Sequence, residues 1–151
     1  YNITGAILRM FLSAKNPPKT MVLMLQKEVA RRIIARDGKE SLLSLSVKAY
    51  GMPRYVDPVK AMYFSTKPNV DSAILLIENI SKKFFNDFSE EKFFNVIKVG
   101  FAHKRKKLLR NLESSFEKEK IARAFAECGL NTKSRAEDLS LSDWRALINK
   151  L

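Results

Sequence analysis

Hydrophobic and polar positions along the chain change their rhythm near residue 80. Before it, short apolar runs alternate with amphipathic stretches. Residues 5–13 read as a helix stopped by Asn16, Pro17 and Pro18. "TMVLML" (20–25) is a continuous apolar run, the pattern of a strand buried on both faces. "QKEVARRIIAR" (26–36) sets Val29, Ile33 and Ile34 against charged residues, which predicts an amphipathic helix ending near Gly38. "SLLSLSVKAYG" (41–51) predicts a second helix closed by Gly51. Residues 54–64 and 70–79 read as two strands joined by a Pro-containing loop, hence an antiparallel pair. Strand, helix, helix, strand, strand is the later part of an α/β sheet domain.

Beyond Glu78 the rhythm becomes helical throughout. "ISKKFFNDFS" is a linker with aromatic anchors, and Ser89 followed by Glu90 and Glu91 starts a helix to about Phe101. "KRKKLLRNLESSF" (104–116) predicts the next helix. "EKEKIARAFAEC" (117–128) predicts a third, with Gly129 at its end. The last begins at Ser140, with Asp143 completing a capping box. The expected organisation is an α/β part over residues 1–80 and a small all-helical domain over residues 81–151.

Composition narrows the chemistry. No apolar run approaches the roughly 18 residues that span a bilayer, so no membrane association is expected. The first twenty residues have neither a basic leader nor a small-residue cleavage site. The chain starts without Met and is already helical by residue 5, which suggests a piece of a longer protein. One cysteine, Cys128, excludes an internal disulfide and fits a reducing, cytoplasmic setting. Cys128 at an amphipathic helix end reads as an inert thiol. The lone His103, beside four cations, reads as solvated, so metal chemistry has no support.

Charge is the informative quantity. There are 28 Lys and Arg against 16 Asp and Glu, a formal net charge of +12, and each side of residue 80 carries half of it. A surface basic in both halves points to a polyanion, with nucleic acid the leading partner. In "HKRKKLLRN", Lys104, Arg105, Lys107 and Arg110 would line adjoining faces of one helix, with Leu108, Leu109 and Leu112 toward the core. A basic face backed by an apolar stripe suits RNA phosphates, although a charge run is more often a solvated face. Lys27, Arg31 and Arg32 are weaker candidates of the same kind.

"YFSTKPNVDSAILLIE" (63–78) places an aromatic pair before an exposed loop. By residue type alone Phe64 would be core. Tyr63 is also expected in the core. Asn69 and Asp71 are expected to shape the loop through side-chain hydrogen bonds to the backbone. Ser72 has no neighbouring base, which argues against a serine nucleophile.

Six stretches together resemble the ribosomal RNA adenine N6-dimethyltransferases of the KsgA type: "YNI" (1–3), "MLQKEVARRI" (24–33), "LSLSVKAYG" (43–51), "FSTKPNVDSAIL" (64–75), "GFAHKRKKLLRNL" (100–112) and "SRAEDLSLSDW" (134–144). Each alone is weak, but six in order are specific. The resemblance implies the second half of a Rossmann-like, S-adenosylmethionine-dependent methyltransferase sheet followed by a small helical domain. It implies methyl transfer to N6 of adenines in small-subunit, 16S-type rRNA, within a pre-30S-type particle, by a monomer.

Tyr1 matches the last residue of the family's Asn-Leu-Pro-Tyr motif and would be an aromatic platform for the adenine. Phe64 matches the Phe before the family's Pro-containing loop and would be the opposite wall, which reverses the core reading for Phe64. The family's Gly-rich cofactor loop and the Asn-Leu-Pro residues would precede Tyr1. No cofactor-binding residue is therefore expected in this stretch, and no activity from it alone. Macrolide-resistance methyltransferases of large-subunit rRNA share the catalytic half, but "FAHKRKKLLRNL" and "SRAEDLS" favour the small-subunit type. A non-catalytic nucleic-acid-binding member is the remaining alternative.

Overall fold

The computed structural model describes residues 3–151. Helix α1 (Thr4–Leu12) leads into strand β1 (Met21–Gln26), helix α2 (Lys27–Ile33), helix α3 (Leu42–Lys48) and strands β2 (Met52–Val59) and β3 (Ser72–Glu78). β3 lies between the other two and is antiparallel to both, so β1 and β2 run parallel on either side of it. β2 carries Pro53 and Pro58, which cannot donate to a ladder and suit an edge strand. Its register shifts between Tyr55 and Asp57, a bulge at Val56.

Ala73, Leu75 and Ile77 of β3 are fully buried and join Leu8 and Leu12 of α1, Ala30 and Ile33 of α2, and Val47 of α3. The helices thus cover one face of the sheet. The expectation that β1 is buried on both faces is corrected here. Met21 and Leu25 are buried, but Val22 and Met24 are 66% and 54% exposed, opposite Leu76 and Ile74. An apolar run cannot report which elements lie over each of its faces, and the described helices lie over one. β2 is also shorter than expected, ending at Val59 before a 3-10 turn at Ala61–Tyr63.

A bridge of rings follows the sheet. Tyr50 sits 5.0 Å from Phe85 and 6.2 Å from Phe94, while Phe84, Phe85, Phe88 and Phe93 pack mostly edge to face. Such pairs add to what their burial already contributes. The Tyr50 hydroxyl donates to Glu90 at 2.7 Å, and Lys82 pairs with the same carboxylate at 2.8 Å. Burial, with the Glu90 carboxylate, pushes the Tyr50 phenol well above its ordinary range.

Beyond the bridge lie α4 (Glu90–Gly100), α5 (Leu108–Leu112), α6 (Lys118–Glu127) and α7 (Leu141–Lys150), packed around Phe93, Ile97, Leu108, Phe125, Trp144 and Leu147. The caps follow from sequence. Ser89 accepts from the Lys92 N–H at 3.0 Å. Ser140 and Asp143 form the capping box of α7. Gly129, at φ +63°, closes α6 with the Leu130 N–H donating to Phe125 O at 2.9 Å.

One helix is much shorter than its sequence suggests. The expected helix over 104–116 forms only at Leu108–Leu112, and residues 101–107 are irregular. Lys104 to Lys107 would place four cations at the start of that helix, where the macrodipole disfavours positive charge. The segment also has better partners elsewhere: Asn111 Nδ2 donates to Gly100 O at 2.5 Å and His103 O at 3.2 Å, and the Leu108 N–H donates to Ser134 O at 2.9 Å.

Candidate nucleic-acid interface

The loop between β2 and β3 is tied at its base by Asp71. Its Oδ1 accepts the Ala61 N–H at 3.0 Å, its main-chain oxygen accepts the Lys27 N–H at 3.0 Å, and its Oδ2 lies 3.6 Å from Lys27 Nζ. Asp71 thus shapes the loop as expected, whereas Asn69 is exposed. The Ala61 hydrogen bond, helped by Lys27, holds the Asp71 carboxyl below the usual carboxylate range.

A carboxyl with a lowered folded value stabilises the fold above the ordinary carboxylate range, and that contribution is lost as pH falls through the lowered value. Amide exchange at Ala61, expressed as a protection factor, should therefore drop in acid, and Asp71→Asn should flatten that pH dependence. A wild-type protection factor constant from neutrality to about pH 2 would contradict this account.

The tie sets out the two aromatics. Phe64 follows the turn, its N–H donating to Ala61 O at 3.3 Å, and it is half-buried. Tyr63 is 72% exposed, which overturns its expected place in the core. Strand alternation ends at Val59, and in the 3-10 turn only Ala61 faces inward. Parity counted from the strand therefore fails at Tyr63. Tyr1 lies outside the described residues.

The basic residues do not form one helical face. Lys104, Arg105 and Lys107 are exposed in the irregular segment before α5, and only Arg110 is helical. Arg110 forks onto Glu113 at 3.0 and 3.2 Å. A loop held by Asn111 therefore presents three of the four cations, and the helix presents one.

What the tertiary structure does gather is different. A groove of about 1680 Å³ runs between α1, α2, α3 and α4, with Arg31 on one wall and Lys104 on another. Arg9, Arg36 and Lys98 also line it. No motif marks these three, so sequence reasoning had no signal for them. Glu28, Glu90 and Glu91 share the lining, so the groove is mixed in charge. Arg31 Nε is buried there with no partner among the described residues. Lys27 and Arg31 also border a smaller hollow of about 290 Å³ with Val70 and Asp71, which connects the loop base to α2.

The five glycines lie apart, without a Gly-rich turn. Besides Arg31 Nε, two buried side-chain polar atoms have no partner among the described residues, Asn111 Oδ1 and Trp144 Nε1. No described helix is long and apolar enough to cross a membrane.

Comparison with known proteins agrees with this architecture. The family model for "Ribosomal RNA adenine dimethylase" matches residues 1–151. "Ribosomal RNA small subunit methyltransferase A" of Dehalococcoides mccartyi (strain CBDB1) is 41% identical over 97% of this chain and 51% of its own length. The protein of that name from Geobacillus thermodenitrificans (strain NG80-2) is 34% identical, over 100% of this chain and 54% of its own. The chain thus spans about half the length of the curated relatives it matches. Among solved structures, a dimethyladenosine transferase from Plasmodium falciparum superposes with a TM-score of 0.80 at 24% identity, covering 97% of this chain and 62% of that one. The 23S rRNA methyltransferase ErmE superposes with a TM-score of 0.76 at 21% identity, covering 100% and 62%. Both show the fold: the later part of a Rossmann-like sheet with its helical domain.

Proposed function

This chain belongs to the ribosomal RNA adenine dimethylase family, and on that premise we propose that it is the RNA-facing part of an enzyme that dimethylates N6 of adenines in small-subunit rRNA. Family membership implies S-adenosylmethionine as methyl donor in general. We place the donor's site outside these residues, whose scattered glycines form no Gly-rich turn to hold it. The observation that carries the reading is the family match along the whole chain, joined to a secured loop that displays Phe64 beside cationic surface.

The chemistry explains why such a loop is useful. The lone pair on N6 is delocalised into the adenine ring, so the amine is a poor nucleophile. Catalysis requires the base out of its stack, flat surfaces around the ring, and the amine held in line with the methyl. Phe64 supplies one flat surface, with Tyr1 proposed as the other. Lys104, Arg105, Lys107 and Arg110, with Lys27 and Arg31 nearer the loop, neutralise phosphates of the rRNA in the assembling small subunit. The small-subunit name of the curated relatives favours this substrate over large-subunit rRNA. We also propose that residues 1–80 and 81–151 are separate domains. Two buried clusters support the division, although Leu45 of α3 and Ala49 just after it lie in the helical one.

Phosphate contact has a quantitative signature. Each lost contact should lower the salt slope of RNA affinity by about 0.7–0.9. Charge reversal at Arg105 and Lys107 should weaken binding to a small-subunit rRNA fragment and reduce that slope, with unfolding temperature unchanged because both are exposed. Unaltered affinity and slope would return the cluster to a solvated surface. For the full-length protein, mass spectrometry of rRNA should find N6,N6-dimethyladenine, and finding only unmodified adenine would overturn the assignment.

A further inference from the structure

The exposure of Tyr63 calls for a use. Met62 and Tyr63 are 68% and 72% exposed on the 3-10 turn, and Val70 is 47% exposed across the same loop. Single apolar residues on a surface need no explanation, but here three fall on one short loop. The loop is not slack, because Asp71 fixes its base to Ala61 and to Lys27. The aromatic ring is therefore held out into solvent. Lys60 and Lys67, both exposed, flank it in the chain.

We propose that Tyr63 is a second nucleobase seat, which stacks a base next to the target adenine on the same single strand. The proposal rests on the reading of this loop as RNA-facing. Tyr63 ends the 3-10 turn and stands largely in solvent, whereas Phe64 follows it in extended backbone and is half-buried. The two rings are therefore presented differently, and each is free to take its own base. An exposed ring beside cations is the arrangement that holds single-stranded nucleic acid by stacking plus phosphate attraction. With a net charge of +12, the chain matches a polyanion better than an apolar protein partner.

The test uses the 151-residue chain and a single-stranded adenine hexanucleotide RNA carrying one 2-aminopurine, whose fluorescence is quenched on stacking. Tyr63→Leu should weaken affinity roughly 5- to 150-fold and relieve part of the quenching, while Tyr63→Phe should stay within about twofold of wild type. Neither variant should shift thermal unfolding, since the ring is largely uncovered. Equal losses in Tyr63→Phe and Tyr63→Leu would make the hydroxyl responsible and overturn the stacking role. If Phe64→Leu loses binding while Tyr63→Leu does not, the loop reading survives and the second seat fails. If both bind as wild type, or wild type does not bind, the loop reading fails and the second seat with it.

Discussion

Trp144→Ala should cost about 3–5 kcal/mol of stability, enough to unfold the helical part of many chains of this size. Trp144 is fully buried among Leu108, Ile97, Phe125 and Leu147, and its ring stacks on Phe101 at 5.9 Å. Its Nε1 has no partner among the described residues, so the substitution breaks no hydrogen bond to them, and the loss is apolar contact plus the cavity left behind. The fit is tight enough to restrict a neighbour. A Cβ at Gly100 would collide with the Trp144 ring and lie 2.9 Å from Leu108 Cδ1. Gly100→Ala should therefore also destabilise, by about 1–3 kcal/mol through overpacking. Adding it to Trp144→Ala should cost less than the sum, because the truncated ring makes room. Denaturant unfolding of the four proteins checks this. Additive losses would mean that the close approach is relieved elsewhere.

Phe64→Ala, in the full-length protein, should lower kcat/KM for methyl transfer by about 5- to 150-fold, the worth of one base stack of roughly 1–3 kcal/mol. Its effect on stability should stay well below the roughly 3–5 kcal/mol of a deleted core Phe, because Phe64 is only half-buried at the edge of a turn. Tyr63→Ala should leave stability nearly unchanged, the opposite of what its sequence context suggests. Thermal unfolding and methyl transfer, measured under conditions where every variant is folded, separate the two. Loss of folding in Phe64→Ala, with turnover otherwise intact, would return Phe64 to the core.

The cationic segment shows how position and presentation differ. Asn111 is 3% exposed and holds the carbonyls of Gly100 and His103. It therefore sets the shape of the loop that carries Lys104, Arg105 and Lys107. A polar residue between leucines in "LLRNL" looks like a solvated helix position. Only its burial against the end of α4 shows that it replaces the helix hydrogen bonds this segment lacks.

The sequence by itself determined whatever depends on near neighbours. Ser89, Ser140 with Asp143, and Gly129 each act within a few residues, so the starts of α4 and α7 and the end of α6 could be read directly. Six stretches in order were enough for the family, because chain order and residue type survive without coordinates.

Tertiary structure decided what depends on distant partners. Whether β1 is covered on one face or two depends on which elements lie over it, and among the described residues helices cover one face. Whether residues 104–107 are helical depends on competition between helix hydrogen bonds and contacts to Ser134 and Asn111, far along or across the segment. Whether Tyr63 points inward depends on where strand alternation stops, and Asp71 ties that stop point to Ala61 across the loop. Arg31 and Lys104, 73 positions apart in the chain, line one groove only because the fold brings α1, α2, α3 and α4 around it.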